Sequence, residues 1–460
     1  MRSIYLNPAA RKWTAAPLSD EGVDSFHKQM PNYRPTDLVR LVDLGAVYLK
    51  NEGNRFGMPS FKILGASWGT FRAIVQRIGL PPSSDIETVK AAIGGHGISL
   101  YAATDGNHGR AVARMGAIFS VPVEIHVPAT MEASTVELIR SEGASIVVSS
   151  GNYDDAVLEA YSASKPGGIL IQDFAFDDYQ DFPQWIVDGY RTMMREIDQQ
   201  LRPDLVIAPV GVGSFAQAVV SHYRQPGGTT AVMTVEPDTA ACLWKSLKRG
   251  QLTTEQTTPT IMAGLECGTP SSIAWPILKA GVEASVTVSD FESHEASLYL
   301  ESVGISAGPC GAAPLAALRR LTAADKAALG LNENSVVVLL CSERNREYTV
   351  PLSVSSDDPI ILTQTLVQIN SANPLGVTGP SAIAPYIAAW LEHRDIESHW
   401  IKRRPSVGVQ AHIDMVTLYD RLSSEIADSN SRSADMKGVA AVMVALANRK
   451  LAGLYWCEET

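Results

Sequence analysis

The sequence has few of the features that mark membrane, secreted or nucleic-acid-binding proteins. No apolar run reaches the about 18 residues of a membrane span, and residues 1–10 lack the apolar core of a signal peptide. Lysine and arginine number 38 against 49 acidic residues, the net charge is -11, and the densest basic run is only 402–404. A run this short cannot follow a phosphate backbone. We therefore expect a cytoplasmic protein without a membrane or nucleic-acid partner.

Cysteine is also scarce, and its placement argues against two kinds of site. The five cysteines, Cys242, Cys267, Cys310, Cys341 and Cys457, are scattered and show no C-x-x-C spacing. This pattern indicates neither a disulfide framework nor a zinc knuckle. Cys242 could pair with Cys267 in the fold, but buried free thiols are the favoured interpretation.

What the sequence does contain is a regular alternation of short apolar runs and amphipathic segments. The composition is that of an ordinary globular protein, with 45% hydrophobic and 19% charged residues over 460 positions. The pattern predicts strands near 47–50, 97–103, 123–127, 145–148, 169–172, 205–210, 231–235 and 336–340, and helices near 62–78, 107–115, 132–141, 153–163 and 183–199. Such alternation indicates an α/β fold whose parallel sheets are covered by helices on both faces.

One lysine stands out within this pattern. Lys62 lies among apolar and small residues in 59–69, at the start of a predicted helix. A lysine in an apolar setting loses part of its preference for the charged form, and its neutral amine can form a Schiff base with an aldehyde. It is a candidate partner for pyridoxal phosphate (PLP). A surface lysine that opens a helix is the alternative.

Four loops follow predicted strands, where ligands collect in parallel sheets. They are 104–109, 173–175, 211–215 and 341–343. The glycines of 211–214 could let backbone N–H groups converge on an anion, although a plain strand-to-helix turn has the same spacing. Asp105 could be a helix N-cap, and Ser342 could be a turn residue or a hydroxyl that faces a pyridine nitrogen.

Taken together, these motifs resemble the diaminopropionate ammonia-lyase family. The similar segments are Phe56-Gly57, Ser60-Phe61-Lys62, 103–110, 172–175, 211–214, 235–238 and 260–265, in the family's order and within about residues 25–350. The segment T-D-G-N-H-G matters most, because related serine and threonine dehydratases carry a small residue where Asp105 stands. The resemblance implies a PLP enzyme of fold type II, with two α/β subdomains and the cofactor between them.

The resemblance also implies a role for individual residues. Lys62 matches the Schiff-base lysine, Asn107 the partner of the cofactor's 3′ oxygen, and Ser342 the hydroxyl at the pyridine nitrogen. Asp105 and Asp173 match acidic residues that face the substrate. The phosphate loop corresponds to Gly211, Val212, Gly213, Ser214 and Phe215. Two departures from the family are Arg344, in place of a small residue, and Pro309-Cys310, in place of Glu-Ser.

The implied reaction is α,β-elimination of 2,3-diaminopropionate, or a similar β-substituted amino acid, to pyruvate and ammonia. Either Lys62 or Asp105 would remove the α-proton, according to the handedness of the substrate. A homodimer is expected. Three alternatives remain: a β-replacement synthase, an enzyme like serine or threonine dehydratase, and a non-catalytic fusion protein.

Four segments near the end of the sequence form a second set of motifs, 383–391, 411–416, 433–438 and 457–459. Together they resemble the start of an M20-type metallopeptidase. The resemblance implies His412, Asp435 and Glu459 as metal ligands and Glu458 as the base. A two-ion hydrolytic centre needs about five protein ligands, so we expect no competent metal site here. The predicted division is a lyase body over 1–355, with a small subdomain at about 95–175, and a peptidase-like segment over 356–460.

Overall fold

The computed structural model describes residues 4–18, 22–104, 106–151, 153–176, 179–354, 386, 389–390 and 393. The chain divides into two compact units, one of Ser3–Thr349 and one of Val350–Thr460 with Met1–Arg2. The candidate metal ligands His412, Asp435 and Glu459 lie outside the described residues. The fold and the site described below belong to the unit Ser3–Thr349.

Two sheets of mainly parallel strands form the centre of this unit. The strands are β1 (Tyr5–Leu6), β2 (Leu38–Arg40), β3 (Val47–Asn51), β4 (Leu100–Ala103), β5 (Val123–Val127), β6 (Ser145–Val148), β7 (Ile169–Leu170), β8 (Leu205–Pro209), β9 (Ala231–Pro237), β10 (Ala284–Val288) and β11 (Val337–Cys341). The larger sheet has the order β1-β10-β9-β8-β11-β3-β2, and the smaller one has the order β6-β5-β4-β7. Only the edge strands β1 and β2 of the larger sheet pair antiparallel.

Helices connect successive parallel strands and cover the sheets. They are α1 (Val23–His27), α2 (Lys62–Ile78), α3 (Ile86–Ala92), α4 (Asn107–Phe119), α5 (Ala133–Arg140), α6 (Tyr153–Ala163), α7 (Asp181–Gly189), α8 (Arg191–Asp198), α9 (Ser214–Tyr223), α10 (Cys242–Arg249), α11 (Ala274–Gly281), α12 (Asp290–Ser302), α13 (Pro309–Arg320) and α14 (Ala323–Ala328). None of the helices in the described residues has the length and apolar character needed to cross a membrane. The predicted α/β class with parallel-rich sheets is confirmed.

The structure corrects one predicted helix and adds strands that the sequence pattern did not indicate. The segment 183–199 contains two helices, because Tyr190 N bonds to Val187 O and Met193 N to Tyr190 O, three residues back instead of four. Strands β1, β2 and β10 were not predicted. The two edge strands are two and three residues long, too short to show a hydrophobic period.

Helix α2 packs into the core because its small residues allow close approach. A Cβ atom at Gly65 would lie 2.6 Å from Tyr190, and one at Gly69 would lie 2.7 Å from Ile186. The apolar side chains of α2 fill the space around these contacts, and Trp68 and Phe71 are fully buried. The tight packing of α2 on α7 holds Lys62, the first residue of α2, at a fixed depth in the protein.

Four charged side chains form a buried ion cluster beneath the loop that follows β3. Arg55 Nη2 lies 2.7 Å from Glu52 Oε1, Arg55 Nη1 lies 2.7 Å from Glu196 Oε1, and Lys50 Nζ lies 2.6 Å from Glu196 Oε2. Thr36 adds a hydrogen bond from its hydroxyl to Glu52 at 2.6 Å. The two positive and two negative charges compensate one another. Because all four side chains are shielded from water, the loss of one charge would leave another buried without its full compensation.

We predict that Arg55→Met lowers the free energy of unfolding by ~3–5 kcal/mol, because it leaves two buried carboxylates with Lys50 as their remaining cationic partner. The matched control is Arg195→Met, which removes an ion pair with Asp24 whose side chains are 24% and 32% exposed. The control should cost less than ~1 kcal/mol. Urea unfolding followed by tryptophan fluorescence measures both values. Equal losses in the two variants would contradict the prediction.

Candidate active site

The candidate site residues lie in loops beyond the carboxyl ends of parallel strands. Lys62 follows the loop after β3, Asn107 follows β4, and Asp173 follows β7. Residues 211–215 follow β8, and Ser342 comes directly after β11. Strands β4 and β7 belong to the smaller sheet, and β3, β8 and β11 belong to the larger one. The candidate site therefore contains residues from both sheets.

The Lys62 amine forms an ion pair with the Asp173 carboxylate. The Lys62 side chain is 20% exposed, whereas that of Asp173 is only 6% exposed. Burial by itself raises the pKa of Asp173, but the charges of Lys62 and His108 lower it, and the net value is about 2. The carboxylate is therefore ionised at neutral pH and stabilises the ammonium form of Lys62.

His108 supports this pair from the small-sheet side. Its Nδ1 atom lies 3.9 Å from Asp173 Oδ2, and its Nε2 atom is 2.8 Å from the backbone oxygen of Ile171. The imidazole is buried. Sequence reasoning did not single out His108, although it lies in the same 104–109 loop as the residues that it did assign.

The structure shows why the predicted phosphate loop contains glycines. Gly213 has φ of +93°, a left-handed conformation that glycine adopts without strain. A Cβ atom at Gly211 would lie 3.0 Å from the backbone oxygen of Gly264. Helix α9 begins at the next residue, Ser214, and the N–H groups of a first helical turn have no intrahelical partner. This turn can therefore bind an anion such as a phosphate group.

Neighbouring side chains also limit the size of the residue at position 213, whether or not a ligand is bound. A Cβ atom there would lie 2.9 Å from Leu278 Cδ1 and 3.3 Å from Ala274 Cβ, both on α11. A bulky residue at this position would therefore disturb the packing of α9 on α11 as well as the approach of an anion.

Aromatic rings connect the phosphate loop with the segment that precedes Lys62. The ring centroids of Phe61 and Phe215 are 4.2 Å apart, and those of Phe61 and Tyr190 are 4.9 Å apart. All three rings are buried. This contact brings the start of α9 next to the start of α2, so the anion-binding turn and the lysine amine form one site.

Ser342 is held against Lys62 by backbone pairing. Residues 59–61 and 342–344 form a short antiparallel pair, which we call the ribbon. Its hydrogen bonds run from Phe61 N to Ser342 O at 3.1 Å and from Arg344 N to Pro59 O at 2.8 Å. The buried Ser342 is therefore fixed within one residue of Lys62 across the ribbon.

Asn107 has a partner that sequence reasoning missed. Its Nδ2 atom donates to Glu343 Oε2 at 3.0 Å, and the Glu343 side chain is buried. Asn107 was assigned to the cofactor through a family resemblance, and the structure adds that Glu343 fixes the orientation of its amide. The position of Glu343 directly after Ser342 and a buried strand was the available signal.

The remaining sequence predictions concern Asp105, the cysteines and metal binding. Asp105 lies outside the described residues, so its role remains a prediction. The described cysteines, Cys242, Cys267, Cys310 and Cys341, form no disulfide, as the sequence favoured; all are buried except Cys267, which is half-buried. In the described part of the chain no group of three or more His, Cys, Asp or Glu side chains could hold a metal ion.

We predict that Asp173→Asn increases the reactivity of Lys62 toward an amine reagent in cofactor-stripped protein. A neutral amide stabilises the ammonium form less than a carboxylate does, so more of the amine is neutral and nucleophilic. Labelling with trinitrobenzenesulfonate at pH 8, followed by peptide mapping, should show a several-fold increase at Lys62. Lys90, which pairs with Glu87 on the surface, is the internal reference and should be unchanged. Unchanged labelling of Lys62 would show that Asp173 does not control its charge.

Comparison with known proteins yields one family and several close relatives. Residues 30–342 match the family model described as pyridoxal-phosphate dependent enzyme. Diaminopropionate ammonia-lyase of Salmonella typhimurium is 33% identical over 313 residues, which are 62% of this chain and 74% of the relative. The enzyme of the same name from Escherichia coli is 31% identical over 354 residues, 69% of this chain and 86% of the relative.

A solved structure agrees with these sequence matches. The crystal structure of the Escherichia coli diaminopropionate ammonia-lyase in complex with D-serine superposes with a TM-score of 0.67 and 28% identity. The match covers 74% of this chain and 93% of that structure. The predicted fold type II architecture is confirmed.

The described residues fit the PLP cofactor that the family requires. A lysine amine, an anion-binding turn that has no room for a Cβ atom at Gly211, and a buried hydroxyl at Ser342 lie in one site. Groups of these kinds are able to bind an aldehyde, a phosphate and a ring nitrogen, which are the binding features of PLP. The family match confirms the predicted cofactor, and the chain belongs to the family of pyridoxal-phosphate dependent enzymes, among their ammonia-lyases.

Proposed function

We propose that this protein catalyses the elimination of ammonia from 2,3-diaminopropionate or a close β-substituted amino acid, giving pyruvate and a second ammonia. Two relatives that carry the name of this activity are 33% and 31% identical to the chain. The observation that carries the proposal is the Lys62 amine, which is paired with a buried, ionised Asp173 beside an anion-binding turn.

The residues of the site would hold PLP at three points. Lys62 would hold it through its amine, the first turn of α9 through its N–H groups, and Ser342 through its hydroxyl. When bound, PLP supplies an electron sink for the charge that develops at the substrate Cα atom. Because Ser342 is neutral, it does not stabilise a proton on the ring nitrogen, which favours elimination over transamination.

Proton transfer then falls to Lys62 and Asp105. We infer that the neutral Lys62 amine removes the α-proton from one enantiomer of the substrate and that the Asp105 carboxylate removes it from the other. Asp173 is suited to hold the Lys62 ammonium after this transfer, since its low pKa, about 2, keeps it ionised. The same ammonium can return a proton to the departing β-amino group.

The proposal places the lyase chemistry in residues 1–355 and none of it in residues 356–460. Two observations support this division: the family match ends at residue 342, and one compact unit ends at Thr349. We propose that 356–460 carries no competent metal site, that the lyase acts as a homodimer and that it works in the cytoplasm on a small amino acid.

We predict that Lys62→Ala abolishes the visible absorbance of the bound cofactor and lowers the rate of ammonia release by about 10³-fold, because both the anchoring amine and a base are lost. Lys90→Ala is the control, since Lys90 is a half-exposed lysine in α3 that should affect neither quantity. Absorbance spectra and an ammonia assay with diaminopropionate measure the two effects. Retention of the absorbance in Lys62→Ala would remove Lys62 from the site.

We predict that Asp105→Asn retains the cofactor absorbance but lowers turnover of one enantiomer of diaminopropionate by about 10²-fold, since an amide cannot accept a proton. Turnover of the other enantiomer should change several-fold at most. Steady-state rates with the separate D and L substrates test this. An equal loss on both would exclude Asp105 as the base for either one.

A further inference from the structure

A cavity of about 220 Å³ lies beside the ribbon. None of the residues assigned to the cofactor or the substrate lines it. One wall is formed by six residues from before β2 and from the end of β3 and the loop after it, and the other by three residues near the ribbon. They are Arg34, Thr36, Asp37, Asn51, Gly53 and Asn54 on the first wall, and Gly304, Ser306 and Arg344 on the second. The cavity is therefore a second site, next to the candidate active site but separate from it.

The charges of the lining favour an anionic ligand. Arg34 and Arg344 are the cationic residues in the lining, and Asp37 is the acidic one, so the walls carry a net positive charge. Guanidinium groups present several N–H donors in a plane that matches carboxylate and phosphate oxygens. The Asp37 carboxylate opposes an anion, so binding depends on the two arginines.

The neutral groups of the lining add hydrogen-bond donors. Asn51 Oδ1 accepts a hydrogen bond from the N–H of Gly53 at 3.1 Å, so the remaining polar group of the Asn51 amide is its NH₂ donor. Asn54 supplies a second amide and Ser306 a hydroxyl. A site with two guanidinium groups, amide donors and a hydroxyl has the chemistry of an oxyanion site.

The volume limits the size of the ligand. The cavity has a volume of about 220 Å³ and is partly open to solvent. Sites for drug-sized molecules begin at about 300 Å³. Inorganic phosphate, a small phosphate ester or a small carboxylate fits this space.

We propose that this cavity binds a small oxyanion, carried by a phosphate or a carboxylate group, and that the bound anion stabilises the ribbon. Arg344 belongs to the ribbon through its N–H, which donates to Pro59 O at 2.8 Å. A Cβ atom at Gly53 would lie 3.2 Å from Arg344 Cβ, so the two walls already touch at their base. An anion held by Arg344 and by the 51–54 loop joins the end of β11 to the loop that leads to Lys62.

The binding test uses the full chain loaded with PLP, in a buffer without phosphate or carboxylate. Isothermal titration calorimetry with inorganic phosphate, and separately with succinate, should show saturable binding of at least one anion. Arg344→Gln and Arg34→Gln should each weaken this binding by about tenfold or more, because a charge-assisted hydrogen bond is lost. Arg40→Gln makes the same charge change at an exposed position of β2 and should leave binding unchanged.

Each result decides the proposal. Binding of phosphate alone indicates a phosphate ligand, and binding of succinate indicates a carboxylate ligand. The proposal is wrong if neither anion binds at millimolar concentrations, if Arg40→Gln weakens binding as much as the other two variants, or if the cofactor absorbance falls during the titration. The last result would mean that the anion occupies the cofactor's own phosphate turn.

Hydrogen exchange tests the effect on the ribbon. In the PLP-loaded protein, phosphate or succinate should slow exchange at residues 53–61 in the wild type and in Arg40→Gln, but not in Arg344→Gln. Binding without slower exchange would overturn the link to the ribbon. Neither measurement requires turnover, so both stand apart from the outcome of the lyase assays.

Discussion

The loop between β3 and α2 depends on the buried charges of Lys50, Glu52, Arg55 and Glu196. Each carboxylate contacts at least one cation, and no charge of the cluster can leave it without exposing another to a low-dielectric interior. Because Arg55 lies within the loop, its position fixes the path of the chain toward Lys62. The ribbon and the cavity beside it adjoin the same loop.

The site itself follows from the geometry of parallel strands. Their carboxyl ends lie on one edge of each sheet, and the loops at these edges carry Lys62, Asn107, Asp173, the 211–215 turn and Ser342. Aromatic packing around Phe61 and backbone pairing in the ribbon bring together loops of the larger sheet. The Lys62–Asp173 ion pair and the Asn107–Glu343 hydrogen bond join these loops to those of the smaller sheet. A small displacement of one loop would therefore change the position of the lysine relative to the phosphate turn.

The two buried carboxylates of the site, Asp173 and Glu343, have different neighbours. Asp173 is buried against the Lys62 amine, and its lowered pKa suits it to holding a positive charge rather than to taking up protons at neutral pH. Glu343 is also buried, but it accepts a hydrogen bond from Asn107 and so orients a neutral amide. The two acids therefore differ in their neighbours, since one contacts a cation and the other a neutral amide.

The sequence by itself determined the α/β class, the lysine and the glycine turn, because each has a local cause. Alternating apolar runs predict parallel strands, and the glycine at 213 reflects a left-handed φ at its own position. The family resemblance supplied the cofactor. Only the tertiary structure decided which side chains meet: Lys62 and Asp173 are 111 residues apart, and Asn107 and Glu343 are 236 residues apart. The cavity beside the ribbon likewise forms between segments that are distant in the sequence, which no local pattern records.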